Sequence, residues 1–195
     1  MNRGKLRPTK IAILEGFWND DAEHRLTIDP LFKLLARRDQ VRYVLLHSST
    51  VEEFRFNLDV TRTVRGGGVL VLAFHGFKKG GFYLTTGKVT MEDVALWLGK
   101  DFGKKKEWIV FFHSCQTLDV DRARIEEFMA NTGVRTVIGY TKKVDFMEAA
   151  AVGLLLLDWL QFYVNIPRLW KRFQKHYPDL VKMTGLTIFF NGHRT

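Results

Sequence analysis

Cysteine is nearly absent from this chain, and several other features that define common protein classes are missing. Cys115 is the only cysteine among 195 residues, which excludes an internal disulfide and a cysteine-cluster metal site. The most apolar stretch, residues 149–160, contains Asp158 and is too short to span a bilayer, so it predicts a buried helix. No signal-peptide segment follows the basic residues 1–10, and neither metal-ligand histidine spacing, internal repeats nor low-complexity linkers occur. These absences favour a single metal-free domain in the cytoplasm, with no membrane partner.

Acidic side chains are the minority among the charged residues. Lysine and arginine number 30 against 21 aspartates and glutamates, which gives a formal net charge of +9. The excess is spread over residues 1–9, Arg37-Arg38, residues 104–106, Lys142-Lys143, and the group Arg168, Lys171, Arg172 and Lys175. Because no single stripe dominates, a solvated surface is the favoured interpretation, and binding to nucleic acid or to an acidic protein remains a weaker alternative.

Apolar runs of strand length alternate with helical patterns along the chain. The predicted strands cover residues 10–14, 41–46, 69–74, 108–112, 135–140 and 186–190, and a small hairpin is predicted over residues 78–87. Predicted helices lie over residues 119–130, 146–163 and 167–176. This alternation predicts an α/β sandwich with a mostly parallel sheet. We expect one domain over residues 1–195, with a basic arm over 1–9 and a C-terminal helix and last strand within 166–195.

Helix-start signals mark three further helices. Asp29-Pro30 is typical of an N-cap followed by proline at the first helical position, with Leu31, Leu34 and Leu35 expected on one buried face. Thr50 with Glu53, and Thr90 with Asp93, have the spacing of capping boxes.

Two apolar strands each run into a reactive side chain. Residues 69–74 lead into His75-Gly76, and residues 108–112 lead into His113-Ser114-Cys115. Right-handed crossovers bring the carboxyl ends of successive parallel strands to one sheet edge, with neighbouring strands about 4.8 Å apart. His75 and Cys115 are therefore expected to meet at that edge. His113 lies on the same strand as Cys115 and is the weaker candidate for a partner base.

An imidazole beside a thiol has a defined chemical use. A free thiol, with a pKa of about 8.5, is only a few per cent thiolate at neutral pH, and an ion pair with imidazole raises that fraction. His75 could then protonate the leaving amine, while the N–H groups of Gly76 and Cys115 form an oxyanion hole. A helix starting near Asp119 would add a favourable dipole beside Cys115. The alternative is that Cys115 is an inert core cysteine, which is common at the end of an apolar strand.

The order of these elements resembles the caspase-like (clan CD) cysteine peptidases, in particular the bacterial CHAT branch related to separase. The resemblance rests on strand–His75-Gly76, the glycine-containing hairpin, residues 90–94, strand–Ser114-Cys115 and the stretches 137–140 and 144–151, and it spans roughly residues 10–165. It implies a three-layer sandwich with a sheet of about six strands flanked by helices. It also implies a His–Cys dyad, no cofactor, a protein substrate, an activating protein partner and a role in bacterial defence or regulated self-killing.

The resemblance also implies a substrate pocket. Its positions correspond to Glu15, His113 and the stretch 140–145, which contains Asp145. Two carboxylates there would favour lysine or arginine on the amino side of the cleaved bond. The alternatives are an exposed loop carboxylate at Glu15, a helix N-cap at Asp145 and a structural histidine at 113.

The residues after the cysteine differ from the family pattern. A small residue, often glycine, commonly follows the nucleophile, whereas Gln116-Thr117-Leu118 follows Cys115. This difference favours a second hypothesis, a catalytically silent caspase-like module that binds other proteins.

Overall fold

The computed structural model describes residues 10–18, 26–39, 41–64, 66–103 and 107–190. Within these ranges the strands are, in chain order, β1 (Ile11–Glu15), β2 (Tyr43–His47), β3 (Gly68–Ala73), β4 (His75–Phe77), β5 (Gly81–Leu84), β6 (Gly87–Thr90), β7 (Trp108–His113), β8 (Thr136–Tyr140) and β9 (Leu186–Phe190). The helices are α1 (Asp29–Asp39), α2 (Val51–Arg62), α3 (Met91–Leu98), α4 (Arg122–Thr132), α5 (Phe146–Leu160), α6 (Ile166–His176) and α7 (Pro178–Thr184).

Six of these strands form one sheet in the order β2-β1-β3-β7-β8-β9. The first five strands run parallel, and β9 pairs antiparallel with β8 at the far edge. The strands β1, β3 and β7 are apolar apart from Glu15 at the end of β1 and His113 at the end of β7, which fits a sheet covered on both faces. A separate antiparallel sheet contains β4, β5 and β6.

Helices cover the six-stranded sheet on both sides. The even-numbered side chains of β1 and β3 pack with α2, α3 and α4 in one core, which includes Leu14, Phe54 and Phe128. The odd-numbered ones pack with α1, α5 and α6 in a second core, which includes Ile13 and Phe173. The predicted α/β three-layer sandwich with a mostly parallel six-stranded sheet is confirmed.

The helix-start signals predicted at α2 and α3 are confirmed by side-chain hydrogen bonds. Thr50 and Glu53 form a reciprocal capping box at α2, and Thr90 and Asp93 form another at α3. Both motifs depend only on residues three positions apart, so they can be recognised from the local sequence alone.

The structure differs from the expected elements at four places. Leu34 is 55% exposed, and Phe32 is buried on α1 with Leu35. His75 follows the end of β3, as expected, and also begins the short strand β4. Helix α4 begins at Arg122, three residues later than expected, because the amide of Asp119 first donates back to the carbonyl of Gln116 in a turn. The helix α7, which has proline at its start and a left-handed glycine after it, was not predicted.

Some predicted features lie outside the described residues: the basic arm over residues 1–9 and the lysines at 104–106. In the part of the chain that the structure describes, no helix combines the length and apolar character needed to cross a membrane.

Candidate functional site

The candidate site lies at the carboxyl edge of the six-stranded sheet. Glu15, Ala73 and His113 are register partners across β1, β3 and β7, so these three strands end side by side. Ligands of open α/β sheets bind beyond such strand ends. His75 and Cys115 both come two residues after that line.

A direct contact joins the two predicted catalytic segments. A Cβ added to Gly76 would lie 2.0 Å from the carbonyl oxygen of Cys115 and 2.6 Å from its backbone nitrogen. Only glycine allows the two backbones to approach this closely. The structure therefore brings the His75-Gly76 and Ser114-Cys115 segments together, as the sequence predicted.

The sulfur of Cys115 faces the segment that precedes α5. Its Sγ lies 3.3 Å from the Val144 carbonyl oxygen and 3.4 Å from the Val144 nitrogen. A thiol can donate to that oxygen, and a thiolate can accept from that N–H group. The expected helix start near Asp119 is not beside the sulfur, because residues 115–118 form a turn before α4. The N-terminal end of α5 lies beside the sulfur instead, because Val144 comes just before that helix.

The backbone amides around Cys115 differ in their hydrogen bonding. Outside the strand ladders, the backbone hydrogen bonds of the described residues use the amides of Gln116 and Leu118 as donors but not that of Cys115. An oxyanion hole needs backbone N–H groups that have no acceptor of their own. This geometry supports the role predicted for Cys115 N–H.

The imidazole of His75 forms its hydrogen bond with Trp18 rather than with the Cys115 sulfur. Its Nε2 lies 2.7 Å from the main-chain oxygen of Trp18, and its ring makes an edge contact with the Trp18 indole at 5.3 Å between centroids. Among the described residues, the sulfur of Cys115 forms its hydrogen bonds with Val144 and not with His75. The histidine and cysteine are thus neighbours in the fold but are not hydrogen-bonded.

Glu15 is buried rather than exposed, with 1% of its surface accessible. Its carboxylate accepts hydrogen bonds from Trp18 Nε1 at 2.8 Å, from the Thr27 hydroxyl at 2.7 Å and from the Ile28 amide at 2.7 Å. Buried carboxylates are uncommon unless such donors satisfy them. The alternative of an exposed loop carboxylate is therefore wrong, and Glu15 instead fixes Trp18 and the start of α1.

His113 is 5% exposed and belongs to a buried polar pair. Its Nδ1 lies 3.0 Å from the hydroxyl of Tyr140, which also lies 3.3 Å from the Ala149 carbonyl oxygen. Burial lowers the pKa of His113 to about 4 and raises the pKa of Tyr140 well above its usual value, and the charge of Cys115 raises the latter further. His113 is neutral at pH 7, and its ring packs against Gly153 of α5, since a Cβ added there would lie 3.1 Å from its Cε1.

Asp145 is exposed and caps α5. Its carboxylate accepts from the amides of Met147 at 2.8 Å and Glu148 at 3.4 Å. The N-cap alternative is confirmed. The neighbouring predicted wall over residues 140–145 does lie beside Cys115, since Gln116 N donates to Lys142 O and Leu118 N donates to Tyr140 O.

Gln116 adopts an unusual backbone conformation in the turn after Cys115. Its φ is +54°, in the left-handed region that favours glycine. The turn after Cys115 therefore has the backbone shape that a glycine would adopt, formed by a glutamine under strain. Strained backbone of this kind is concentrated at functional sites.

We expect Gln116→Gly to stabilise the protein. The left-handed conformation costs an L-residue about 1–2 kcal/mol. Glycine avoids that cost but loses more backbone entropy on folding, which offsets roughly half of the benefit. We therefore expect the free energy of unfolding in urea to rise by up to about 1 kcal/mol. The matched control is Gln174→Gly on the exposed face of α6, which should destabilise by about 1 kcal/mol. A loss of stability in both variants would show that Gln116 is not strained.

Trp18 is the residue that sequence reasoning missed. It is half-buried beyond the end of β1, and its indole contacts both His75 and Phe146. The available signal was an aromatic residue three positions after Glu15, just beyond a strand's carboxyl end.

Other predicted features lie away from this edge. In the described ranges, no group of three histidine, cysteine, aspartate or glutamate side chains could hold a metal ion. The basic residues of α6 are exposed: Arg168, Lys171, Arg172 and Lys175. Trp159 packs with Tyr163 and Phe173 in the second core.

Fold and site together define an α/β sandwich with a cysteine at the carboxyl edge of its parallel strands. The chain belongs to the family described as "Family of unknown function (DUF6642)", whose match covers residues 8–190. No curated protein matches the chain at a significant level.

Proposed function

We propose that this protein is a cysteine endopeptidase in which Cys115 is the nucleophile and His75 the general acid and base. The observation that carries the proposal is the backbone contact of Gly76 with Cys115, which brings both predicted segments to one sheet edge. The unused N–H group of Cys115 supports it as well. Gly76 and Cys115 are the proposed oxyanion donors.

The reaction has two stages. The Cys115 thiolate attacks the substrate carbonyl carbon, and the backbone N–H groups stabilise the resulting oxyanion. The C–N bond then breaks, and His75 gives the leaving amine its proton. In the second stage His75 takes a proton from water, whose oxygen replaces the sulfur at the acyl carbon. The products are a new carboxylate and the free thiol.

A preference for lysine or arginine before the cleaved bond is part of the proposal. Glu15 supplies a buried carboxylate at the site edge, and His113 is a buried neighbour on β7. Asp145 contributes negative charge at the start of α5, although its carboxylate is occupied by capping. A substrate ammonium or guanidinium group would form a charge-assisted hydrogen bond with Glu15, about twice as strong as a neutral one.

The proposal extends to location and partners. The resemblance to CHAT-type peptidases supports a cytoplasmic protein, switched on by an activating protein, in bacterial defence or regulated self-killing. A protein substrate follows from the same resemblance, and no cofactor is required by the two-stage reaction.

A second candidate function is a catalytically silent module that binds other proteins. The observation that favours it is that the Cys115 sulfur forms its hydrogen bonds with the Val144 backbone and not with His75 among the described residues.

We expect cells expressing the wild-type chain to contain new protein N-termini that cells expressing Cys115→Ala lack. His75→Gln should lower the rate of cleavage by about 10²–10⁴-fold, the usual contribution of a general acid and base. The N-termini are identified by mass spectrometry of labelled amines. His75→Gln should also suppress labelling of Cys115 by an electrophile.

Two matched controls accompany this experiment. Replacing the exposed His176 with glutamine should leave cleavage unchanged, and replacing His113 should spare labelling of Cys115. Identical cleavages with wild type and Cys115→Ala would contradict the peptidase and favour the silent module. Equal cleavage of lysine, aspartate and leucine peptides would contradict the basic preference alone.

A further inference from the structure

Helix α6 has a charge pattern unlike that of the other helices. Among the seven described helices it is the one without an aspartate or a glutamate. Its cations repeat at positions i, i+3, i+4 and i+7, which places them on one face of the helix. All of them are exposed, and together they form what we call the α6 basic stripe: Arg168, Lys171, Arg172 and Lys175.

The opposite face of α6 is buried in the core, which fixes the direction of the stripe. Leu169 and Phe173 have none of their surface accessible and belong to the second core. Phe173 also packs against Trp159 of α5, with ring centroids 5.6 Å apart. A helix that lies in a lipid surface needs its apolar face free for insertion. The folded protein can therefore use α6 to bind a partner through charge, but not by inserting apolar side chains into a membrane.

No carboxylate neutralises the stripe within the described ranges. Ion pairs do form on other helices, for example between Arg122 and Glu126 on α4, but none involves a residue of the stripe. Arg172 Nη1 donates instead to the neutral hydroxyl of Tyr163 at 3.0 Å. The full positive charge of the stripe is therefore left for an anion from outside the chain.

The stripe opposes the stability of the helix that carries it. Like charges three or four positions apart destabilise a helix, and four pairs within the stripe have this spacing. Arg168 adds to the effect because it lies in the first turn, where the helix dipole favours a negative charge. A solvated helix face normally mixes charges of both signs. Departures from these local rules are expected where a surface has a function.

The charge density of the stripe matches that of a nucleic-acid strand. From Arg168 to Lys175 the helix rises about 10.5 Å, so its four cations are on average about 3.5 Å apart along the axis. One strand of duplex DNA carries a phosphate about every 3.4 Å along its own axis. Two of the four cations are arginines, whose planar guanidinium groups bind phosphate oxygens in a bidentate manner.

We propose that the α6 basic stripe binds the phosphodiester backbone of a nucleic acid. This function goes beyond the proposed peptidase and uses none of its site residues. Contacts with phosphates carry no sequence information, so the binding is independent of base sequence. Each phosphate that is neutralised releases a counterion, and four contacts contribute about −3.6 to the slope of log K against log salt concentration for duplex DNA. That slope corresponds to roughly a 100-fold loss of affinity between about 50 and 200 mM salt.

We expect the double variant Lys171→Gln/Lys175→Gln to bind DNA more weakly and with a smaller salt dependence. The purified full-length chain is titrated into a fluorescein-labelled duplex of mixed sequence, and fluorescence anisotropy gives the affinity between about 50 and 200 mM KCl. Two lost phosphate contacts should reduce the slope by about 1.8. Glutamine and lysine have similar helix propensities and both positions are exposed, so the variant is expected to fold.

The matched control removes the same charge from another surface. Lys88 and Lys100 are exposed lysines of the three-stranded sheet and of the turn after α3. Lys88→Gln/Lys100→Gln should keep the wild-type slope. An equal decrease of the slope in both double variants would show that net charge alone attracts the DNA, and would overturn the stripe.

Other anionic partners are tested with the same variants. The probes are vesicles of phosphatidylcholine with roughly 30% phosphatidylserine, and a polyglutamate peptide. Binding to either probe that depends on the stripe, without such binding to DNA, would overturn the nucleic-acid proposal and assign the stripe to a membrane or to an acidic protein. Cys115→Ala leaves the stripe intact and should bind DNA as the wild type does, so this result does not depend on the peptidase proposal.

Discussion

Gly76→Ala is expected to destabilise the protein by about 3 kcal/mol and to abolish labelling of Cys115. The new Cβ would lie 2.0 Å from the Cys115 carbonyl oxygen and 2.6 Å from the Cys115 nitrogen. Both are backbone atoms, so no side-chain rotation relieves the overlap, and the strand β4 must move away from the turn after β7. Because His75 precedes Gly76, that movement also displaces the imidazole. Urea unfolding and mass spectrometry after iodoacetamide treatment measure the two effects.

Gly87→Ala is the matched control in the same three-stranded sheet. Its Cβ would meet the Val51 side chain at 3.7 Å, an ordinary van der Waals contact. Neither glycine has a positive φ, so backbone strain does not distinguish them. Equal unfolding midpoints for the two variants would show that the Gly76–Cys115 contact does not constrain the fold.

Acidification is expected to destabilise the wild-type protein through His113. Its pKa in the folded protein is about 4, against about 6.5 for an unfolded histidine, because burial disfavours the charged form. Between these values the unfolded chain binds more protons, so the stability due to neutral His113 is complete above pH 6.5 and is lost as the pH falls towards 4. The loss amounts to about 3 kcal/mol, or roughly 5–10 °C in Tm for a chain of this size.

His113→Gln isolates this contribution. Glutamine keeps a hydrogen-bonding group near the Tyr140 hydroxyl and does not titrate, so its stability should fall less steeply between pH 7 and pH 4. Glu92 and Asp29, whose pKa values are lowered by Arg124 and Lys33 respectively, also lose stabilising charge in acid, but equally in both proteins. His176→Gln, at an exposed position, should follow the wild-type curve. Parallel curves for His113→Gln and wild type would contradict the assignment.

The elements that the sequence predicted correctly are those decided by nearby residues. Continuous apolar runs predicted β3 and β7, and the spacing of Thr50 with Glu53 predicted the start of α2. The start of α4 was misjudged because Asp119 and Asp121 are both acceptable N-caps. The amide of Asp119 donates to the Gln116 carbonyl in the preceding turn, so Asp121 is the N-cap residue of the helix.

The candidate site was predictable in its composition but not in its contacts. Strand order alone indicated that His75, Gly76 and Cys115 share one edge. Burial of Glu15 was not predictable, because charged residues are rarely buried and two of its three donors, Thr27 and Ile28, lie 12 and 13 residues further along the chain. The contact of Trp18 with His75 joins residues 57 positions apart, and no local pattern encodes it.

The proposed histidine and cysteine are attached to different sheets. Cys115 follows β7 of the large sheet, whereas His75 begins the three-stranded sheet, which is tied to the rest through bonds such as Thr117 Oγ1 to Gly81 O and Thr85 N to Ser49 O. Global unfolding reports on the large sheet and its two cores. The direction of the imidazole depends on the three-stranded sheet, whose Phe82, Leu84 and Val89 are buried in the first core. Under the proposed function, a substitution at these core positions would lower stability and turnover together, because the same packing holds the strands that carry the base.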